Sequence, residues 1–542
     1  MKGLHIMKTR EKIGGIIFAL ATAGFLVAFS KLKTEETIQA DTTEITKNKA
    51  KLVYTEMYQD SVEEKIAEEK SSGIYTEDQM LIEENPYGTN TLSLYVYFTT
   101  EEPVSVSYNV SVPDSSVADF SQIPAGEDGF DTEHEFQVLG LIPEESNTIT
   151  FTLTKEDGSV KTRTYVHEMG ELSGEEELRL VQTKAAEEGE RVTDGFYVIL
   201  GNDSDEEDFM YYYDSSGILR GEIPLIGYRS HRLLFQDNLM YYSISDSKIA
   251  AVNALGKVEK IYDTGAYRLH HDYVFDDEGN LLVLATDTES ASVEDQIIRI
   301  NTQTGEISCV LDLEDLFSDY KETCTANEDG ELDWMHINTI QWIGDESILL
   351  SSRETSTILM IADIYGSPQV EYMIGEESFW QGTGYEELLL KKDESMGTFS
   401  NTGGQHSITY VEDESLNEGE YYLYLFDNNF GISESNPDYD WEQIDGIETS
   451  MKDGKTSYYY KYKVDENNGT YSLVQSFAVP YSAYVSSAQE YDGNIIIDSG
   501  MQGIFGEYDS NGNLIQEFQM TLADEYIYRV YKYDFRNFYF AG

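Results

Sequence analysis

Apolar and polar residues alternate with a period of two along most of this chain. Leu92-Ser-Leu-Tyr-Val-Tyr-Phe, Val104-Ser-Val-Ser-Tyr-Asn-Val, His134-Glu-Phe-Gln-Val-Leu and Thr148-Ile-Thr-Phe-Thr-Leu each read as a half-buried strand between Pro and Gly turns. They predict a small β-sandwich over residues 85–172. Farther on, a polar turn with glycine recurs between apolar runs: Asp214-Ser-Ser-Gly, Asn253-Ala-Leu-Gly, Asn301-Thr-Gln-Thr-Gly, Asp363-Ile-Tyr-Gly, Asp465-Glu-Asn-Asn-Gly and Asp509-Ser-Asn-Gly. A second turn alternates with it at Asp277-Glu-Gly-Asn, Gly344-Asp-Glu-Ser and Asp492-Gly-Asn. Two hairpins per unit, at a period of roughly 40–60 residues, mark a β-propeller. The expectation is an all-β chain whose residues 193–542 form about six blades; the uneven spacing leaves five or seven open.

Helical spacing is confined to two acidic stretches. Residues 32–84 read as a mostly solvated helical stalk, and residues 173–192 as a helical connector. Ahead of them, Lys2, Lys8, Arg10 and Lys12 precede an uncharged, mostly apolar run over residues 13–30, closed by Lys31 and Lys33. Residues 1–31 therefore read as a signal anchor or signal peptide. No small-x-small cleavage site follows closely, which favours the uncleaved anchor. By the positive-inside rule the remainder lies outside the cytoplasm, anchored to the cell membrane or secreted, and this segment is its one membrane contact.

Charge narrows the partners. Lys+Arg number 36 against 101 Asp+Glu, a formal net charge of −65, which opposes any phosphate backbone and excludes nucleic acid. With 41 Tyr and 13% aromatics, most of the chain is not a disordered acidic tail. The two cysteines, Cys309 and Cys324, leave two readings open: a disulfide closing a short loop, worth about 3 kcal/mol, or two separate reduced thiols.

The histidines carry the candidate chemistry. His231, His270, His271, His336 and His406 open strands of successive repeats, and equivalent positions would form a ring at one mouth of the channel. His336 lies before the Gly344 turn and Arg353 a similar distance after it, so an antiparallel hairpin brings them to one end. A lone strand-start histidine is usually a core or capping residue. Several in phase with an arginine indicate a site. Neutral imidazoles around one guanidinium, with no carboxylate cluster evident beside them, suit a tetrahedral oxyanion. Three histidines also suit zinc, but Arg353 would repel a second cation, so no metal is expected. No Gly-x-Ser-x-Gly elbow or Gly-rich phosphate loop is present.

At these residues the chain resembles the bacterial arylsulfate sulfotransferases. The resemblance rests on Asp333-Trp-Met-His-Ile-Asn, Ser351-Ser-Arg, Gly404-Gln-His and Leu425-Phe-Asp-Asn, with Asn85-Pro-Tyr-Gly-Thr-Asn and Val138-Leu-Gly-Leu-Ile-Pro in the leading β domain. It implies a six-bladed propeller acting outside the cytoplasm. It implies sulfuryl transfer from a small aryl sulfate to a phenol, without a nucleotide sulfate donor and without a cofactor. It makes His406 the nucleophile, with His336 and Arg353 holding sulfate oxygens. The histidine assisting proton transfer would be His271, beside Asp272, with His270 as the alternative. Asn338 would support the sulfate and His231 would stand behind. His406 must be neutral to attack, so activity is expected to fall at low pH. Two other classes stay open: a surface-anchored propeller that binds without catalysis, and a metal-dependent lyase or hydrolase. A homo-oligomer is also left open.

Overall fold

The computed structural model describes residues 49–174, 180–202, 209–395 and 397–542; the expected membrane segment lies outside them. Among the described residues, no helix is long and apolar enough to cross a membrane. The first long helix, Glu56–Ser72, is capped by the Thr55 side chain, which accepts from the Tyr58 amide. It is not a free stalk. Ile66 packs with Leu81, Tyr87 and Tyr95, and the Gln59 amide bonds the carbonyls of Val53 and Tyr87 and the amide of Val258. A narrow apolar stripe suffices here because Gln59, although buried, leaves no polar atom unpaired.

The strands expected between residues 85 and 172 are present, with one more, Leu81–Glu84, ahead of them. Six strands pair antiparallel around Leu94–Ser111, which is long enough to serve two sets of partners. Its first half pairs with Leu81–Glu84 and Asp131–Val138, and its second half with Ser146–Lys155. Leu94, Val96, Phe98, Val106, Tyr108 and Val110 alternate inward and share one core with Phe136, Val138, Phe151 and Leu153.

Six more sheets follow among the described residues, numbered here along the chain, all antiparallel except where Lys391–Lys392 runs parallel to Thr470–Val479 in sheet 5. Sheet 1 holds Phe196–Ile199, Phe209–Tyr213 and Leu219–Pro224. Sheet 2 spans Leu234–Gln236 to Val258–Asp263, sheet 3 Tyr267–Phe275 to Ile307–Asp312, and sheet 4 Ile337–Gly344 to Gln369–Ile374. Sheet 5 is built on His406–Val411 to Thr470–Val479, and sheet 6 on Ser487–Tyr491 to Leu514–Met520. Every one of the six Asp/Asn…Gly turns joins the last two strands of one of these runs. Asp214 and Asp509 show why the signal is so regular: each carboxylate accepts backbone amides two and four residues on, which closes the turn locally. The strands Leu281–Asp287, Ser347–Ser352 and Asn494–Ser499 are buried on both faces, so they read as unbroken apolar runs rather than alternation.

Two segments join sheets far from their own place in sequence. The C-terminal strand Val530–Tyr533 pairs with Phe196–Ile199, completing sheet 1. Lys532, fully buried, donates to Glu507 of sheet 6 (3.0 Å) and to the Thr193 carbonyl, tying the two ends of the run together. The connector expected to be helical supplies instead the strand Leu180–Lys184, paired with Leu514–Met520. The exposed ladder of Leu514–Met520 supplied hydrogen bonds that its acidic composition could not announce. Cys309 is exposed on an outer strand, while the Cys324 sulfur lies against the Tyr320 carbonyl at the edge of an apolar cluster. Both thiols are unbridged in this structure.

Candidate active site

The first strands of sheets 3, 4, 5 and 6 lie side by side, and their ends carry the site. His336 and Arg353 meet as the hairpin requires: Ile337 pairs with Ser352, and the Arg353 amide donates to the His336 carbonyl (3.1 Å). His406 opens the first strand of sheet 5 after Gly403-Gly404-Gln405. Gly404 has φ of +63° and lies so close to the Phe430 carbonyl and the Arg353 stem that a side chain there would meet both. That close approach sets Arg353 beside the His406 loop.

The His406 ring is almost fully buried and its orientation is fixed. Nδ1 lies 2.9 Å from the Gly404 carbonyl and 2.7 Å from Asn428 Oδ1. Asn428 Nδ2 donates to the carbonyls of Ser482 and Val485, so its oxygen must face the ring. Both partners of Nδ1 are acceptors. Nδ1 therefore carries the proton, and Nε2 keeps its lone pair, with no hydrogen-bond partner among the described residues. Burial, with the nearby His271, His336 and Arg353, holds His406 well below the ordinary histidine range, against the pull of Asn428. Burial thus favours the neutral ring, the form in which Nε2 can attack.

The opposite side is charged. His336 Nδ1 faces Asp333 Oδ2 at 2.6 Å and Glu294 Oε2 at 2.8 Å. Burial and Arg353 lower the His336 pKa, but the two carboxylates outweigh them and raise it to about 9, so the ring is an imidazolium at neutral pH. Arg353 NH2 lies 3.6 Å from Asp333 and 3.5 Å from Glu354. His271 Nε2 lies 3.0 Å from Glu294, and its Nδ1 lies 3.0 Å from the Tyr528 hydroxyl. Burial depresses the His271 pKa to about 3, so this ring is neutral. His271, Glu294 and His336 all sit at positive φ (53°, 56° and 47°), a conformation that non-glycine residues adopt at a cost and that collects at functional sites.

Two family models place the chain in a known group. A family model for arylsulfotransferases matches residues 181–529, and one for the arylsulfotransferase Ig-like domain matches residues 81–170. The chain belongs to the arylsulfotransferase family. No curated protein matches. Among solved structures, a putative 6-phosphogluconolactonase from Bacteroides fragilis is 12% identical over 80% of this chain and 99% of its own, with a TM-score of 0.35. A protein of unknown function from Bacteroides caccae is 11% identical over 62% and 98%, with a TM-score of 0.34. The WD40 domain of Toxoplasma gondii coronin is 9% identical over 63% and 76%, with a TM-score of 0.32. Likeness at this level carries no argument about this arylsulfotransferase.

Several candidate residues of this family member stand differently from their sequence reading. The His271 ring is 4.8 Å from His336, whereas His270 lies behind it, 5.1 Å away. Asp272 does not serve His271: it pairs with the part-buried Arg232 (2.8 Å) and the fully buried Arg529 (3.1 Å). Asn338 spends its amide on the Gln405 carbonyl (2.8 Å), holding the residue before His406. His231 bonds Ser243 and packs edge-on to Tyr528, one ring removed from His271. A carboxylate cluster does stand beside the histidines: Glu294, Asp333 and Glu354. Asp333 and Asn428 lay inside the motifs that carried the resemblance, where spacing gave them no role. Glu294, in Ser292-Val-Glu-Asp, and Tyr528 carried no signal, because each reaches the site from a loop or strand remote in sequence.

Proposed function

We propose that the six sheets are the blades of a six-bladed β-propeller and that this protein moves a sulfuryl group from an aryl sulfate to a phenol through a sulfohistidine at His406, without a nucleotide sulfate donor. One observation carries the reading: Asn428 and Gly404 keep the proton on Nδ1 of a buried, neutral His406, so Nε2 is a ready nucleophile. The side-by-side first strands, and the last strand closing on sheet 1, support the propeller.

The lone pair of Nε2 attacks sulfur in line. The N–S bond forms as the bond from sulfur to the aryl oxygen breaks, and that bond's electron pair leaves on the phenolate. His336 donates Nδ1–H to its two carboxylates, which leaves its Nε2–H to protonate the phenolate. Arg353 and the imidazolium offset charge on the sulfuryl oxygens. The acceptor phenol then returns its proton to His336, its oxygen attacks sulfur, and the S–N pair goes back to Nε2. His271 cannot serve as the first proton donor while both its nitrogens are engaged, so it acts by holding Glu294. The apolar run at residues 13–30 with its basic flanks supports an address outside the cytoplasm.

The test is phenol release from a chromogenic aryl sulfate, with and without an added phenol and with chelator throughout. Release that depends on the acceptor, survives chelator and vanishes in His406→Asn is the expected result. Acceptor-independent release would make the protein a sulfatase, and no release from any donor would sink the reading.

A further inference from the structure

The charged half of the site holds more ligating atoms than sulfuryl transfer uses. His270, His271 and Glu294 each offer one atom, and all three atoms lie within 4.8 Å of one another. His270 is only 4% exposed, and neither ring nitrogen makes a well-aligned hydrogen bond among the described residues. The Ala285 backbone lies near enough to favour its protonated form, yet no carboxylate or hydroxyl engages the ring. A buried imidazole left with only a poorly aligned carbonyl is costly unless something else binds it. We propose that His270, His271 and Glu294 form a site for a divalent transition cation of the zinc class, and that its occupation inhibits the enzyme.

Two histidines and a carboxylate, with a position left for water or another oxygen, are a recurrent zinc donor set. Tyr528 makes His271 ready for the part. Its hydroxyl lies 3.0 Å from both Nδ1 and the backbone carbonyl of His271. Without metal, the hydroxyl donates to Nδ1, and Nε2–H faces Glu294. With metal, the hydroxyl turns to the carbonyl, Nδ1–H donates to the tyrosine oxygen, and Nε2 presents its lone pair to the cation. Such a partner behind a histidine ligand fixes tautomer and ring direction. The second possible group, Glu294 with Asp333 and His336, is the poorer choice, because His336 Nδ1 already donates to both carboxylates and Arg353 stands beside Asp333.

Arg353 does not exclude a cation at the first group. Its contacts are Asp333 and Glu354, and the three carboxylates of the cluster outnumber its two cations, Arg353 and protonated His336. Inhibition follows from the shared carboxylate: Glu294 drawn onto a cation no longer holds His336, which positions the sulfate. The inhibition, though not the binding, rests on the transferase reading.

The full chain, stripped with EDTA and desalted, is titrated with ZnCl2 by calorimetry at pH 7. One saturable site is expected, weakened at least tenfold in His270→Ala and about 10–100-fold in Tyr528→Phe. It is unchanged in His167→Ala, whose histidine pairs with Glu84 on the N-terminal sheet. Co2+ bound to the unmutated chain should show visible bands of His and carboxylate ligation that Zn2+ removes, a readout that needs no variant to fold. In turnover, Zn2+ should suppress phenol release and EDTA restore it, with His270→Ala less sensitive. Absence of a saturable site, or equal affinity in parent and His270→Ala, overturns the proposal. Because calorimetry and Co2+ spectra need no turnover, a failed transferase assay leaves this test standing.

Discussion

The two halves of the site hold the same residue type in opposite states. Around His406 every partner is neutral: a backbone carbonyl and an amide oxygen that is itself held by two carbonyls. Around His336 the partners are carboxylates at 2.6 and 2.8 Å. His406 is buried and His336 mostly so, and loss of water alone drives both toward the neutral form. The difference shows that burial sets the direction and the first hydrogen-bond partner decides the outcome: an amide leaves a nucleophile, and a carboxylate pair makes an acid.

That contrast can be broken from either side. His406→Asn should have the largest effect, removing phenol release by about 10³-fold or more, with no sulfuryl adduct by intact-protein mass spectrometry. Arg353→Met should cost about 10²–10³-fold in kcat, because a fixed donor to the sulfuryl oxygens is lost; an adduct that still accumulates slowly would show His406 intact. Asn428→Asp exchanges the neutral partner for a charged one and should give His406 the character of His336. Its pKa should rise, the acid limb of the pH–rate profile should move to higher pH, and turnover at mildly acid pH should drop about tenfold while recovering as pH rises. An unchanged pH–rate profile would show that Asn428 does not set the state of the ring.

The smallest effect concerns the alkaline side. His336 is protonated below about 9, so activity that needs its proton should fall as pH rises through that value. Glu294→Gln removes one of the two carboxylates that raise it, and should move this limb downward by about one pH unit while leaving the acid side alone. A limb that stays put would assign the proton to another group.

The Asp/Asn…Gly turns predicted their hairpins because each turn is closed by its own first side chain, a contact two to four residues long. His336 and Arg353 could be paired for a related reason: one hairpin of fixed register joins them. The acidic segment before residue 193 misled, since the strand Leu180–Lys184 exists only where Leu514–Met520 offers it an edge. The charge state of the site was likewise hidden. Glu294 and Tyr528 meet His271 from opposite sides across sequence gaps of 23 and 257 residues, and nothing in the residues flanking either one records the meeting.

The sequence by itself determined the turn-marked hairpins, the mainly-strand class and the family, because period, turn chemistry and short motifs are local. Tertiary structure alone decided which histidine is neutral and which is charged. It also decided which nitrogen carries the proton and which carboxylates stand within reach. Those properties depend on desolvation and on hydrogen-bond partners supplied by other sheets, and a pKa is a property of the assembled surroundings rather than of the residue.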